Sequence, residues 1–571
     1  MLELVLKLLR PQVSRVRWWI WFVATVVLIL WLIERLLLPS SLLVSQWLVP
    51  TAFVLLVLSY YLQRSFWSPP LPPRDIKTKI VVVGAGPAGL SAAYFLRQQG
   101  YREVLVLEKL GHPGGLCRTI TEDYHCFDLG ANYVTPAYRE TMNLADMVGA
   151  EMYVERPLTT IDLRDSNASP KFVEPWSTVR NGMSALPYIG LCLKYMWLRF
   201  RLGSIINPPG HAAIHEHPEL CVPFSEWLNR NHLQALSMLF EAPITVMGYG
   251  YLHEIATPYA LKYMSVPTFA ALALKAFPLT KYWTRWPKRF VLGFQRLWDA
   301  VAWNLNVRYN VDIKSIERTK YGVRVRFSHV EQVLQKTERH EDELDFDYLI
   351  LACPLSPNVI KRFGFTDEEK QLLGKVKSHS YCLTSFTTKD IEMAEPIAAT
   401  LPLPAIGMPW AITKQFPDSN LFQFYSRVPD DLKLLESTNQ DDLDHKTPLE
   451  IKVAENSCTV PEMTAKRKES RDPVRGPIVA KVREVVERLH GTIEDDQWHT
   501  YDRWNYFQHV TADEMRAGFY RDLESLQGKN RTYFTGALLN FELVEMSIAY
   551  SKHLVETRFK ELPKAARETR Q

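Results

Sequence analysis

The sequence predicts an α/β fold: a parallel sheet with flanking helices, an interleaved α+β second domain and an apolar helical segment in front. Three observations carry this. The fully apolar, β-branched run Ile80–Val83 (IVVV) passes at once into a glycine-rich turn and a helical pattern. A strand-like run at 346–352 returns to that sheet, and another at 531–534 follows near the C-terminus, after long helical, aromatic-rich intervals. Two nearly uncharged stretches lie within the first 62 residues.

At 571 residues the chain is long enough for two or three domains with a large buried core. Apolar residues make up 47% and charged residues 23%, an ordinary globular balance that argues against disorder as the main state. A net charge of +4, with no clustered basic face in the middle of the chain, excludes nucleic acid as the expected partner. The aromatic fraction of 12% offers stacking partners to a planar or hydrophobic substrate, although large cores use aromatics too. Seven scattered cysteines without CxxC spacing predict a reducing compartment and no structural metal.

The front segment reads as a membrane anchor, residues 1–67. Trp18–Ile33 is uncharged, and a second apolar stretch runs from Leu42 to Leu62. A bilayer core takes roughly 20 apolar residues per helix, so the second fits and the first is slightly short. Trp18, Trp19, Trp47, Tyr60, Tyr61 and Trp67 stand where an aromatic belt would place them. Lys7, Arg10, Arg15 and Arg17 precede the pair and Arg64, Arg74, Lys77 and Lys79 follow it, so the positive-inside rule predicts a hairpin with both ends cytoplasmic. A monotopic anchor is the alternative. Ser68–Arg74 (SPPLPPR), within a linker over 68–78, is a stiff polyproline spacer. An endoplasmic-reticulum membrane with the soluble domain in the cytoplasm is the expected location.

After Ile80–Val83, residues 84–89 (GAGPAG) open the helical run Leu90–Gln99. This is G-x-G-x-x-G in its required strand–turn–helix context. Gly84 permits the tight turn, Gly86 lets backbone approach a pyrophosphate, and Gly89 allows close helix–strand contact, with Ala88 a further cofactor-binding candidate in the motif. The N–H groups and dipole of the helix start would hold the phosphates. The strand Val104–Leu107 then ends at Glu108, whose carboxylate suits both ribose hydroxyls and repels a 2′-phosphate, which disfavours NADP.

A second glycine turn, Gly114-Gly115-Leu116-Cys117-Arg118, followed by Asp128-Leu129-Gly130, resembles the flavin-containing amine oxidase and phytoene desaturase superfamily. The resemblance implies FAD. It places Gly115 along the cofactor and Arg118 as a basic side chain near it. It returns at Arg531–Phe534, Thr535-Gly536 and Phe541–Val555, where the family closes the site with a strand, a glycine and a helix start, and it implies cofactor contacts at Gly536 and at the Val544 backbone. The family often has an acid after that glycine, whereas this chain has Ala537, which puts one side-chain contact in doubt. The helix over 290–307 is similar to the one by which such chains re-enter the cofactor domain, and 311–317 to the strand that meets the adenine, with Ile313 the expected contact. Trp504–Val510 and Tyr550-Ser551 resemble a branch that includes polyenoic fatty acid isomerase and β-cyclopiazonate dehydrogenase-like enzymes.

The expected organisation is thus a Rossmann-like FAD-binding domain in three parts, 79–150, 290–360 and 501–560, with a substrate domain over 151–289 and 361–500 and a tail at 561–571. A polar insertion at 430–472 carries no site. Trp504, Tyr506 and His509 are candidates for the substrate wall, each with core packing as the competing reading. No catalytic acid or base stands out, as expected where a flavin carries the chemistry. The expected activity is hydride removal from a small hydrophobic substrate, with molecular oxygen as acceptor and secondary metabolism as a setting. Redox-neutral double-bond isomerisation of a lipid and a non-catalytic scaffold are the rivals.

Overall fold

The computed structural model describes residues 77–155, 159–162, 171–173, 179–180, 182–333, 336–391, 397–400, 407–428 and 475–559. The anchor stretches, all but the last two residues of the linker, the 430–472 insertion and the tail lie outside these. Among the described residues no helix is long and apolar enough to cross a membrane.

Five strands form the first sheet: β1 (Ile80–Val83), β2 (Val104–Leu107), β3 (Val307–Arg308), β4 (Tyr348–Leu351) and β5 (Thr532–Phe534). Their spatial order is β5-β4-β1-β2-β3, and every pairing is parallel. β1 and β2 are buried along their whole length, which is why both read as unbroken apolar runs rather than alternating ones. The first helix, Pro87–Gln98, packs on this sheet through Leu90, Ala92, Ala93 and Leu96. It begins three residues before the apolar run suggests, because Pro87 fits a first helical turn.

The re-entry helix is shorter than expected. Lys288–Phe290 is a strand paired with Met152–Val154, Gly293 turns the chain at φ +78, and only Phe294–Trp303 is helical before β3 joins the sheet edge. Between β3 and β4 the strands Val311–Arg318, Val323–Val333 and Lys336–Phe346 form their own antiparallel sheet. Within the aromatic-rich stretch 248–264 only Thr257–Tyr263 is α-helical, and Gly248 and Gly250 adopt φ +88 and +93 before it.

A seven-stranded sheet takes strands from both sides of β3 and β4 in sequence: 492–509, 377–389, 421–427, 409–413, 397–400, 159–162 and 171–173, in that spatial order. The strand Thr492–His509 pairs along Lys377–Lys389, so residues 501–509 stand in this sheet rather than beside β5. Phe386, Phe422 and Phe424 of this sheet pack against the helix Arg475–Arg488 and meet its Val482, Val485 and Val486.

The strand Val311–Arg318 is pinned by a buried ion pair. Arg318 bonds Glu369, which also accepts the Thr366 N–H in a capping box, and donates to the Gly364 carbonyl at 3.0 Å. Removing the cation leaves a buried carboxylate without its partner, at a cost of about 3 kcal/mol. Arg318→Met should therefore lower stability by that order in chemical denaturation; a loss within about 0.5 kcal/mol, the range of ordinary surface changes, would show the pair to be dispensable.

Candidate functional site

The end of β1 builds the first half of the site. Gly84 leaves the strand at φ +105 and donates its N–H to the Leu107 carbonyl at 2.8 Å. Gly86 stands at the helix N-cap, and Pro87 has no N–H to satisfy. A Cβ on Gly89 would fall 1.9 Å from the Gly84 carbonyl oxygen, so no other residue fits without moving the turn.

The second glycine turn lies against the first. Gly114 donates its N–H to the Ala85 carbonyl at 2.8 Å, and a Cβ on Gly115 would come within 3.2 Å of the Gly86 Cα. Glu108 is buried beside them, accepting the Ala85 N–H at 2.6 Å on Oε2 and the Leu110 N–H at 2.8 Å on Oε1. Each oxygen keeps a further lone pair for a hydroxyl.

The distant C-terminal turn reaches the same place. Gly536, at φ +114, lies so close that a Cβ on it would stand 3.7 Å from the Ala88 Cβ. Thr535 donates its N–H to the Leu351 carbonyl at 2.9 Å, and Ser551 donates to the Ala88 carbonyl at 2.9 Å. The last helix, Val544–Arg558, starts with Val544 buried. Its Glu545 accepts the N–H groups of Glu140 and Thr141 at 3.0 and 2.9 Å, tying the helix to residues 139–148. Ile313 is half-buried on the edge strand that begins where Val311 donates its N–H to the Glu108 carbonyl at 2.9 Å.

Arg118 forms an ion pair with Asp502, whose Oδ2 is buried without a hydrogen-bond partner. Strand alternation puts Asp502, Trp504 and Tyr506 on one face, so Trp504 and Tyr506 share the side of the strand that meets Arg118. Trp504 stands opposite Tyr381 in the register. The Tyr506 ring lies 5.9 Å from Tyr381 and 5.5 Å from Tyr249. The wall continues through Tyr249 to Tyr263 at 5.5 Å and to Phe541 at 4.8 Å, just before the last helix.

His509 stands apart from that wall. The register slips between Tyr506 and His509, Phe507 and Gln508 together opposing Ser378, and Phe507 sits at φ +54. His509 stacks on Phe507 at 4.6 Å, its Nδ1 lies 2.7 Å from the Phe507 carbonyl, and burial lowers its pKa to about 4. A neutral, packed imidazole is the core residue of the competing reading.

The same bulge reveals a group that the sequence did not single out. The backbone N–H groups of Phe507 and Gln508 point at the Glu542 carboxyl, and burial lifts its pKa to about 7 despite them. Glu542 also accepts the Tyr249 hydroxyl at 2.9 Å on its backbone carbonyl, which ties it to the aromatic wall. A second polar centre, also missed, is Arg289, fully buried in an ion pair with Glu155 and donating to the Tyr133 hydroxyl at 2.7 Å. Only the three-dimensional fold brings these residues together; in the sequence they are single charges among aromatics.

FAD fits these residues. The glycine turns are a cradle that Cβ atoms would fill, the helix start favours phosphate, and Glu108 retains acceptors for a diol.

Comparison with known proteins agrees. Residues 82–148 match the family of NAD(P)-binding Rossmann-like domains. Putrescine oxidase of Kocuria rosea is 41% identical over 78 residues, 14% of this chain, and the match spans 16% of that protein's length. β-Cyclopiazonate dehydrogenase of Aspergillus flavus is 22% identical over 81% of this chain and 89% of its own. The crystal structure of a fatty acid isomerase from P. acnes that produces CLA superposes with a TM-score of 0.65 at 20% identity, covering 84% of this chain and 99% of that one. Over most of the chain the likeness to these proteins is one of fold.

Two outcomes follow from this geometry. Gly89→Ala should abolish co-purified flavin and lower stability by more than about 2 kcal/mol, because its Cβ meets backbone rather than a flexible side chain; a yellow, wild-type-stable variant would contradict the cradle. For Glu542, the folded pKa of about 7 lies above the unfolded carboxyl value, so the native state binds the extra proton between the two. Stability contributed by that proton is complete at low pH and lost as pH rises through about 7. Relative to Glu542→Gln, the wild type should lose roughly 2 kcal/mol between acid and alkaline conditions in denaturant titrations. Parallel pH profiles for the two proteins would refute the assignment.

Proposed function

We propose that the chain is an FAD-dependent oxidoreductase that removes a hydride from a small hydrophobic metabolite, by amine oxidase-like oxidation or by desaturation. The observation that carries this is the meeting of Gly84–Gly89, Glu108, Gly114–Gly115 and Gly536 within contact distance of one another. In this reading Gly84, Gly86, Ala88 and Gly89 seat the pyrophosphate, Glu108 holds the ribose, and Ile313 faces the adenine. Gly115, Gly536 and the Val544 backbone receive the rest of the cofactor. When bound, FAD supplies the two-electron acceptor.

The chain's own residues do the rest. Tyr249, Tyr381 and Tyr506 orient an apolar substrate and keep water away, with Trp504 beside them on the same strand. Arg118 is neutralised by Asp502, so it sets the position of that strand and only indirectly the site. Glu542, with a pKa of about 7, is able to hold or release a proton near neutrality. Molecular oxygen is the proposed acceptor. The apolar N-terminal stretches would tether the enzyme to a membrane, with the catalytic domain on the cytoplasmic face of the endoplasmic reticulum.

The similarity to a fatty acid isomerase favours a second reading, redox-neutral double-bond migration, in which the hydride returns to the same molecule. Stopped-flow spectra of the purified holoenzyme distinguish these. Mixing with hydrophobic amines or polyunsaturated acids should bleach the flavin absorbance, and oxygen uptake should match turnover. Turnover without oxygen uptake would select the isomerase, and a preparation unable to take up FAD would overturn both.

A further inference from the structure

The helix Ala185–Arg201 (ALPYIGLCLKYMWLRFR) is apolar on both sides. Tyr188, Cys192, Tyr195 and Arg199 form the buried stripe. Tyr195 lies 4.3 Å from Phe269, so this side packs on the helix Val266–Ala276. The opposite stripe, Leu186, Ile189, Leu193, Trp197 and Phe200, repeats with the same helical period and faces solvent. Leu186 is 81% exposed and Phe200 77%. The segment after the partner helix adds Leu279, Tyr282 and Trp283, the last 75% exposed. A surface helix in water carries polar residues on its outer face. Scattered single apolar residues need no explanation, but a contiguous stripe beside exposed aromatics marks a contact surface.

Charge identifies the partner. Residues 182–215 and 255–298 contain no Asp or Glu at all. They do contain Lys194, Arg201, Lys281, Arg285 and Lys288, each wholly or partly exposed. Three of these cations lie over rings: Arg201 over Trp197 at 4.8 Å, Lys281 over Tyr282 at 5.4 Å and Lys288 over Trp286 at 4.8 Å. Apolar and aromatic side chains with a rim of Lys and Arg and no acid are the composition that settles at a bilayer's headgroup boundary. A second copy across a two-fold axis would bring this cationic rim against itself.

We propose that this face docks on an anionic lipid bilayer, with the helix Ala185–Arg201 and residues 279–283 immersed at the headgroup–acyl boundary. The proposal does not depend on the flavin reading. It also bears on the site. Tyr195 donates to the Met264 carbonyl at 2.6 Å and Arg199 to the Leu261 carbonyl at 2.7 Å, and these carbonyls belong to the segment that carries Tyr263 of the aromatic wall. Docking would fix the wall's position relative to lipid.

The test uses the full chain reconstituted in phosphatidylcholine–phosphatidylserine nanodiscs, with a nitroxide label on Leu193→Cys, Trp283→Cys or, as a control, Tyr321→Cys, which stands 77% exposed in the loop joining the strands Val311–Arg318 and Val323–Val333. The unsubstituted chain corrects for native thiols, and circular dichroism verifies each fold. At positions 193 and 283, accessibility to oxygen should exceed accessibility to a water-soluble nickel chelate about five-fold relative to the control. Nickel accessibility equal to the control at both positions would overturn the proposal. Spin–spin broadening between copies at position 193 would also overturn it, by showing that a second chain covers the face.

Discussion

The site depends on three backbone turns meeting at one place, the closest of them nearer than side chains allow. Gly89 against the Gly84 carbonyl and Gly115 against the Gly86 Cα are closer than a chain with Cβ atoms comfortably allows, and Gly536 meets Ala88 at van der Waals distance with a φ of +114 that favours glycine. Hydrogen bonds hold each approach: Gly84 to Leu107, Gly114 to Ala85, Thr535 to Leu351 and Ser551 to Ala88. A parallel sheet makes this possible, because every strand that enters from a different part of the chain ends at the same edge. The entropy of bringing residue 536 to residue 88 is borne by β4 and β5, whose buried pairing precedes the turn.

The second half of the site is built differently, from polar groups that burial makes costly. Glu542 is held away from its ordinary titration range, and Asp128 rises to about 6 for the same reason, although Thr119 and the Phe294 N–H bond it. Arg289 stays charged because Glu155 and Tyr133 surround it, yet its Nη1 has no hydrogen-bond partner, nor has Asp128 Oδ2. Unsatisfied buried atoms of this kind reduce stability and persist where something else is gained. Phe507, a bulky residue at positive φ, adds backbone strain at the point where two N–H groups turn toward Glu542. Strain and desolvation coincide beside the aromatic wall.

The cofactor half was legible in the sequence because its constraints are local. A strand buried on both faces is written as IVVV or VLVL, and glycine is the residue that a turn at φ +105 or +114 selects, so residues 80–89, 104–108 and 536 carry their own explanation. Apolar spacing continues through Gly293 while the helical backbone does not, so the sequence predicts a longer re-entry helix than Phe294–Trp303. Trp504 and Tyr506 were legible as aromatics, but the bulge that separates His509 from them depends on pairing with Lys377–Lys389, which nothing in 504–510 encodes. Glu542 was hidden for the same reason. Its environment comes from Phe507 and Gln508, and no pattern within one segment records a contact between two.

The helix Ala185–Arg201 shows where periodicity and burial part company. Its two apolar stripes predict a helix packed on both sides, as in a protein interior, yet only the stripe through Tyr188 and Tyr195 finds a partner within the described fold. An exposed Leu, Trp or Phe costs solvation free energy that a polar residue on the same face would avoid, and helix propensity gives no reason to prefer Phe200 over Lys there. The missing acids sharpen the point. Ordinary solvent-facing helices mix both signs of charge, whereas residues 182–215 and 255–298 carry only cations. Solubility would favour acids on such a surface, so their absence is explained by a neighbour that repels them, and a negatively charged lipid surface is such a neighbour.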